Sequence, residues 1–161
     1  GYLSSALGSH IMQVRHKAFF HALKQNGLKS DPTYAGSSYY ITQCMEKHLP
    51  RLLDLGITSI ICSHDLIANA AMIQCQQLGY KVPDEISIIG FDDLPICAYT
   101  SPPLTTIRQE RIQLGKSAYY ALDSLMNQVS IGTLLLHAKL IERGSTGKVP
   151  QTSNDMKRTG D

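Results

Sequence analysis

The sequence predicts an α/β fold with three layers, α/β/α, in which a mostly parallel sheet lies between helices. Short apolar segments typical of strands alternate with helical segments of a dozen or more residues, and this alternation indicates right-handed βαβ units. The run ISII at 86–89 is typical of a parallel strand that is buried by helices. With 161 residues, 43% of them hydrophobic, the chain can bury a core, and its length favours one domain.

The predicted elements follow one another in this alternating order. Strands are expected at 2–5, 58–62, 86–90 and 137–143. Helices are expected at 12–25, 41–55, 66–78 and 111–128. Apolar side chains recur at three- and four-residue spacing in the first helix, Asn26-Gly27 is a typical C-cap for it, and Pro50 is expected to kink the second. Residues 34–40 are predicted to form a loop, and residues 144–161, rich in Gly, Ser, Thr and Lys, a flexible tail.

Charge and cysteine content exclude several classes of protein. The net charge is +2 and the basic residues are scattered, so the sequence shows no nucleic-acid footprint. The four cysteines show no CxxC or CxxH spacing and are expected to be buried free thiols, which indicates a reducing compartment and a cytoplasmic location. The histidines lack HxH and HxxxH spacing, so no metal site is expected. No apolar run is long enough to cross a membrane.

Two strings are the most informative part of the chain. The first, at 82–93, reads VPDEISIIGFDD, in which a turn leads into an apolar strand that ends in an aromatic residue and two carboxylates. The second, at 101–109, reads SPPLTTIRQ. Open α/β sheets bind ligands at the carboxyl ends of their strands, so the first string places Asp92 and Asp93 where a polar ligand is expected.

Together these strings resemble the effector-binding domain of the LacI/GalR family of bacterial transcription regulators. Those regulators carry a VPxxxS strand that ends in G-[FY]-D-D, followed by a PPLTTIxQ return segment. The resemblance implies two periplasmic-binding-protein-like lobes with a ligand between them, preceded by a helix-turn-helix headpiece. Residues 1–107 match the C-terminal lobe, which is nearly complete. Residues 108–143 match a crossover and a returning helix and strand of the N-terminal lobe, of which most is absent.

The resemblance also implies which residues bind the effector. They are Asp92, whose carboxylate can accept hydrogen bonds from vicinal hydroxyls or a purine, together with Arg15, His64, Tyr39 and Gln109. Arg15 begins RHKAF, which matches the family pattern R-x-x-[AG]-[FW], and its fixed donors suit hydroxyls or carboxylates. Tyr39, or its neighbour Tyr40, stands where the family stacks an aromatic on the effector. Ile11 stands where the family often has Ser or Thr, which implies a less polar effector or an incomplete polar clamp.

Each of these residues also has a purely structural interpretation. Asp92 or Asp93 can cap the segment that follows, and for Asp93 a capping or structural role is the prediction. Arg15 can lie on a solvated helix face, Tyr39 can pack in a core, and Gln109 can lie on a surface strand. Asp65 is predicted to be the N-cap of the helix at 66–78.

No enzyme activity and no cofactor are predicted. The pair His64-Asp65 invites comparison with a catalytic relay, but neighbouring side chains on an extended segment point to opposite faces. A small α/β hydrolase would need a GxSxG elbow, and the sequence has neither that motif nor a Gly-rich phosphate loop.

The predicted function is therefore ligand sensing in a LacI-type DNA-binding regulator. Its partners would be a small effector, a sugar or a related metabolite, and operator DNA contacted only through a headpiece outside these residues; no membrane partner is expected. A homodimer is implied by the family, through the helix at 66–78 and the segment at 96–104, with Ala70, Ile73 and Gln77 as candidate contacts. The alternative is a stand-alone periplasmic-type sugar-binding protein for transport, which would carry a signal peptide and few free cysteines.

Overall fold

One six-stranded sheet organises the chain. The computed structural model describes residues 1–5 and 7–149. Its strands are β1 (Tyr2–Ser5), β2 (Ala35–Ser38), β3 (Ser59–Cys62), β4 (Ser87–Phe91), β5 (Thr105–Arg108) and β6 (Lys139–Ile141). Their order is β2-β1-β3-β4-β5-β6; the first five are parallel and β6 pairs antiparallel with β5. The α/β fold with a mostly parallel sheet is confirmed.

Helices lie between successive strands, except between β4 and β5, where the chain forms only a short 3-10 turn at Pro95–Ala98. They are α1 (His10–Gln25), α2 (Ile41–Gln43), α3 (Leu49–Asp54), α4 (Asp65–Gln77) and α5 (Arg111–Met126). A π-helical turn, Cys44–His48, joins α2 to α3 directly before Pro50. Pro50 has no N–H to donate and its ring crowds the preceding turn, so the predicted kink takes the form of this wider turn. Among the described residues, no helix is long and apolar enough to cross a membrane.

The predicted loop at 34–40 is wrong, because β2 occupies Ala35–Ser38. The strand sequence, AGSS, has small side chains and no apolar alternation, so it carries no strand signal of its own. β2 is an edge strand that pairs with β1 on one side. Gly36 permits close packing, since an added Cβ would lie 2.4 Å from the Cβ of His48. Tertiary contacts, rather than local preference, thus place this strand.

The core lies on one face of the sheet. The fully buried side chains include Leu3, Ile60 and Ile88 from the strands and Ile67 and Met72 from α4. All four cysteines lie in the described part of the chain, where each is buried and free of disulfides. This burial agrees with the free thiols that the cysteine spacing predicts.

The opposite face of the sheet is only partly covered. A shallow apolar groove of about 230 Å³ runs between α1 and the sheet, with Phe19, Ile61 and Ile107 in its lining. Ile61 is 39% exposed although it lies on an inner strand. Every residue of α1 and of α5 is at least partly exposed. Parallel sheets are normally covered by helices on both faces. On this face the described residues leave apolar surface of the sheet, of α1 and of α5 exposed.

The first residues of the predicted flexible tail are packed, which corrects that prediction for residues 144–146. Ser145 is fully buried. Its hydroxyl donates to the carbonyl of Ile88 at 2.6 Å and accepts the N–H of Thr105 at 2.8 Å, while its own carbonyl accepts the N–H of Ile88. Because this hydroxyl bonds to backbone groups of both β4 and β5, the segment is packed although its composition is typical of a loop. Residues 150–161 of the predicted tail lie outside the described residues.

We expect Ser145→Ala to lower the free energy of unfolding by about 1–3 kcal/mol, because it leaves a buried N–H and a buried carbonyl without this partner. Urea unfolding followed by circular dichroism would measure the change. Ser101→Ala, at an exposed position, is the control and should change stability by less than about 0.5 kcal/mol. Equal stability of the two variants would show that residues 144–146 are not held in this way.

Candidate functional site

The carboxyl ends of β3 and β4 and the amino-terminal turns of α1 and α4 surround a concavity of about 420 Å³. Its lining consists of Ile11, Met12, Arg15, His64, Leu66, Asp92 and Leu94. Three of the five predicted site residues, Asp92, Arg15 and His64, are therefore neighbours in one lining. This is the edge of the sheet at which a parallel α/β fold is expected to bind a ligand.

Asp92 follows β4 in a backbone conformation with φ of 110°, a region that few non-glycine residues adopt. Its N–H donates to the carbonyl of Ile107, which fixes the turn to β5. Gln109 Nε2 donates to Asp92 Oδ1 at 2.9 Å, so a fourth predicted residue reaches the same group. About a third of the Asp92 side chain remains exposed, which leaves carboxylate surface open to the concavity.

Arg15 is held in place by three contacts. Its Nη1 donates to the carbonyl of Ser63, and its guanidinium lies 3.6 Å from the ring centroid of Phe91. Its Nη2 lies 4.0 Å from Asp92 Oδ1. Stacking on an aromatic face and a bond to a backbone carbonyl orient the planar group. Arg15 therefore does not lie on a solvated helix face, and its Nη2 lies beside Asp92.

His64, rather than Asp65, is the N-cap of α4, so the predicted cap is wrong by one residue. The backbone of His64 is extended, and its Nδ1 accepts the N–H of Ile67 at 3.4 Å. Asp65 is buried instead, where Oδ2 accepts the N–H of Leu94 at 2.7 Å and Oδ1 accepts the hydroxyl of Thr106. The Asp65 carboxylate is hydrogen-bonded to Leu94 and Thr106 and is therefore not the cap, and the imidazole of His64 caps the helix instead.

Burial lowers the pKa of His64 below its usual value of 6.5, although the Asp92 carboxylate acts in the opposite direction. The neutral ring that caps through Nδ1 carries its proton on Nε2. Neutral His64 can therefore donate one hydrogen bond to a ligand in the concavity, beside the acceptor Asp92 and the donor Arg15.

The stability that His64 contributes should depend on pH. Because its folded pKa is lowered, this contribution is fully present above the unfolded pKa of 6.5 and is lost as the pH falls through the folded pKa. We expect the stability difference between the natural chain and His64→Asn, which keeps an N-cap acceptor but does not titrate, to shrink or reverse between about pH 7.5 and pH 5.5. Urea unfolding at several pH values measures this difference, and parallel pH profiles would contradict it.

Tyr39 lies apart from the other predicted residues. It is 81% exposed and contributes to a separate concavity, which Ser5, Gly8 and Ser9 also line. Tyr40 is exposed as well, and its ring centroid lies 5.8 Å from that of Tyr39. Neither ring packs in the core, so the core interpretation is wrong for both. A role for Tyr39 in ligand stacking stays a prediction.

The structure adds the apolar residues Met12, Leu66 and Leu94 to the site, beside Ile11, which the sequence had already placed at an effector position. Ile11 and Leu66 are 59% and 51% exposed. Ile11 and Leu66 stand on the first turns of α1 and α4. No sequence signal identifies Leu66, because a leucine in the first turn of a helix is as typical of core packing as of a ligand contact.

Comparison with known proteins identifies the family of this fold. Residues 2–146 match the family model described as a periplasmic binding protein-like domain. The chain is 36% identical over 144 residues to the HTH-type transcriptional repressor CytR of Escherichia coli, which covers 87% of this chain and 42% of that protein. It is 30% identical over 151 residues to the repressor PurR of Pasteurella multocida, covering 90% of this chain and 45% of the other. The chain thus spans less than half the length of these relatives.

Solved structures show the same fold. The transcription regulator CcpA of Lactococcus lactis superposes with a TM-score of 0.79 at 28% identity, covering 91% of this chain and 55% of that one. A lac repressor dimer bound to operator and the anti-inducer ONPF superposes with a TM-score of 0.79 at 26% identity, covering 91% and 51%. The chain therefore belongs to the periplasmic binding protein-like family, in the branch that contains the LacI/GalR regulators.

Proposed function

We propose that this chain is a ligand-sensing part of a LacI/GalR-type transcription regulator. The observation that carries the proposal is the Asp92 carboxylate, which faces a concavity together with oriented donors from Arg15 and His64. The relatives named above are repressors rather than enzymes, and we propose no catalytic activity for this site. A cytoplasmic location is part of the same proposal.

The effector that suits this site is a small ring with adjacent hydroxyls or amide groups, such as a sugar or a related metabolite. Asp92 would accept two hydrogen bonds from such groups, while Arg15 and neutral His64 would donate. Ile11 and Leu66 offer apolar contact on the helix side of the concavity. This asymmetry favours a ligand that is polar along one edge and less polar along the other.

The second half of the pocket would come from an N-terminal lobe outside the described residues. Residues 108–143 would be the crossover, helix and strand that belong to it. In α5, apolar side chains including Leu114, Leu122 and Leu125 are exposed over a broad arc of the helix. A helix with so wide an apolar face is stable when it is packed against another layer. Operator DNA would be contacted by a headpiece that is also outside these residues.

A homodimer is proposed to form through α4 and the segment that follows β4. Ile73, Ile96 and Tyr99 are exposed apolar side chains on these two segments. The segments are tied together, since Gln76 Nε2 donates to the carbonyl of Ser101 at 2.7 Å. Ala70 is half-buried and packs against the core, whereas Ile73 and Gln77 are exposed. Of the three predicted contacts, Ile73 therefore offers the most apolar surface.

We expect Ile73→Asp to shift the chain from dimer to monomer, because a charge at the centre of an apolar interface is desolvated without a partner. Light scattering after size-exclusion chromatography would measure the mass of each variant. Leu28→Asp, at an exposed apolar position remote from these segments in the sequence, is the control and should keep the dimer. A dimer that survives Ile73→Asp would contradict this interface.

The alternative function, a periplasmic-type sugar-binding protein for transport, shares the fold of the matched family. The relatives with repressor names and the four buried free thiols favour the regulator. The sequence of the parent gene distinguishes the two functions, since a regulator would encode a helix-turn-helix and a transport protein an export signal.

The ligand proposal is tested by nuclear magnetic resonance titration of the chain with a pentose, a hexose and a purine nucleoside. Because half of the pocket would be missing, weak binding at millimolar concentration is expected. Amide shifts should be confined to residues 11–15, 64–66, 91–94 and 109, since Gln109 donates to Asp92. Shifts elsewhere, or none with any of the three ligands, would contradict the proposed site. Tight binding in calorimetry would contradict the need for another lobe.

A further inference from the structure

We propose that Asp93 is a positioning residue, which holds the two segments beside β4 in the places that allow Gln109 to reach Asp92. The inference deepens the proposed function, since it concerns the same site. Asp93 follows Asp92 directly but has entirely different partners. The carboxylate of Asp92 is open to the concavity, whereas that of Asp93 is buried between two arginines.

The contacts of Asp93 form a closed cluster. The residue is 8% exposed. Its Oδ2 accepts a hydrogen bond from Arg108 Nε, and its Oδ1 lies 2.7 Å from Arg143 Nη2. Arg143 Nη1 also donates to the carbonyl of Leu104 at 2.8 Å, so its guanidinium is fixed at two points. A buried carboxylate between two guanidiniums is a strong charge-assisted arrangement.

The two arginines come from different parts of the chain. Arg108 ends β5, and Arg143 follows β6 after a separation of 50 residues from Asp93. Between these two arginines the chain forms α5 and β6. Asp93 therefore connects the end of β5, through Arg108, and the residues after β6, through Arg143, to the end of β4.

The backbone of this turn keeps the carboxylates apart. Asp92 and Asp93 have φ of 110° and 52°, so two successive residues adopt conformations that L side chains rarely take. The surrounding contacts must hold such a turn in place. Among them, the N–H of Asp92 donates to Ile107 and the N–H of Asp93 lies 3.4 Å from the Thr106 hydroxyl.

The cluster is linked to the site through consecutive residues. Arg108 binds Asp93, and the next residue, Gln109, donates to Asp92 at 2.9 Å. The position of Gln109 is thus set by the ion pair one residue earlier. Without the Asp93 charge, Arg108 and Arg143 would face each other with no anion between them, and their repulsion would move this segment away.

The test compares side-chain amide resonances of Gln109 in the natural chain and in Asp93→Asn, with Gln109→Ala used for assignment. We expect the Gln109 amide signals in Asp93→Asn to move toward the positions of a solvated glutamine. Hydrogen exchange of backbone amides at 105–108 and 139–141 should become faster by on the order of tenfold, while exchange in β1 and β2 stays unchanged. Asp84→Asn, at an exposed position, is the matched control and should change neither readout.

Two results would overturn the inference. Unchanged Gln109 signals would show that Asp93 does not position this side chain. Equal acceleration of exchange throughout the sheet would show general support of the fold instead. If Asp93→Asn does not fold, Arg108→Gln provides the same two readouts from a half-exposed residue. Both are measured without a ligand, so a failure here is distinguishable from failure of the ligand titration.

Discussion

Gly90→Ala is expected to lower the free energy of unfolding by about 3–5 kcal/mol, through overpacking and the displacement of a buried carboxylate. An added Cβ at Gly90 would lie 2.2 Å from Asp65 Oδ1 and 3.2 Å from a methyl of Leu104. Asp65 cannot move aside without cost, because it binds Leu94 and Thr106. The glycine of the GFDD string is thus required by the buried aspartate packed against it.

Gly115→Ala is the matched control for this prediction. Gly115 lies within α5, and among the described residues an added Cβ there meets no atom within 4 Å. Alanine in a helix interior is favoured over glycine, so this variant should gain about 0.5–1 kcal/mol. Urea unfolding measures both variants. Similar stability of Gly90→Ala and the natural chain would show that Asp65 is not packed against β4 as described.

Asp92→Asn is expected to weaken effector binding by about tenfold to a hundredfold, since hydrogen bonds to a charged group contribute about 1.5–3 kcal/mol. The substitution keeps the shape of the side chain and removes its charge. Asn can still accept from Gln109 Nε2, so the turn should keep its form. The loss should therefore appear in ligand affinity rather than in stability.

The measurement is the dissociation constant from the titration of a ligand found in the resonance screen. Asp84→Asn removes a carboxylate from an exposed turn and should bind as the natural chain does. Equal affinity of Asp92→Asn and the natural chain would remove Asp92 from the site. Equal losses in both variants would point to net charge rather than to a contact.

Local pattern predicted the elements with strong apolar signals. The strands at 58–62 and 86–90 and the helix at 12–25 each lie within about two residues of the observed bounds. β2 escaped prediction because AGSS has no apolar alternation, and its place depends on pairing with β1. The strand predicted at 137–143 is limited to Lys139–Ile141 in the structure, where it is an edge strand that pairs only with three residues of β5.

Contacts between residues that are distant in the sequence could not be predicted from local sequence patterns. Ser145 has the sequence context of a tail, and only its three hydrogen bonds to β4 and β5 show that it belongs to the core. Arg143 carries no sequence signal that links it to Asp93, which precedes it by 50 residues. Asp65 is a residue type typical of an N-cap, but it packs against Gly90 and binds the N–H of Leu94 and the hydroxyl of Thr106 instead. Local rules fail where tertiary hydrogen bonds compete with them.

The grouping of four of the five candidate site residues was predictable through the family motifs, whereas their binding of an effector stays a prediction. Resemblance indicated Asp92, Arg15, His64 and Gln109, and the fold brings these four together. It also indicated Tyr39, which lies at the neighbouring strand ends in a different concavity. Of the apolar side, Ile11 was indicated by the family alignment, whereas Leu66 and Leu94 were not, because their exposure depends on how α4 meets β4.

The most direct test of the proposed site is a crystal structure of the chain soaked with a ligand that binds in solution. We expect the ligand in the concavity between α1 and α4, with adjacent hydroxyl or amide groups within hydrogen-bond distance of Asp92 and with Arg15 or His64 as donors. A ligand bound instead in the apolar groove beside Ile61, or anywhere that leaves Asp92 without a contact, would contradict the account.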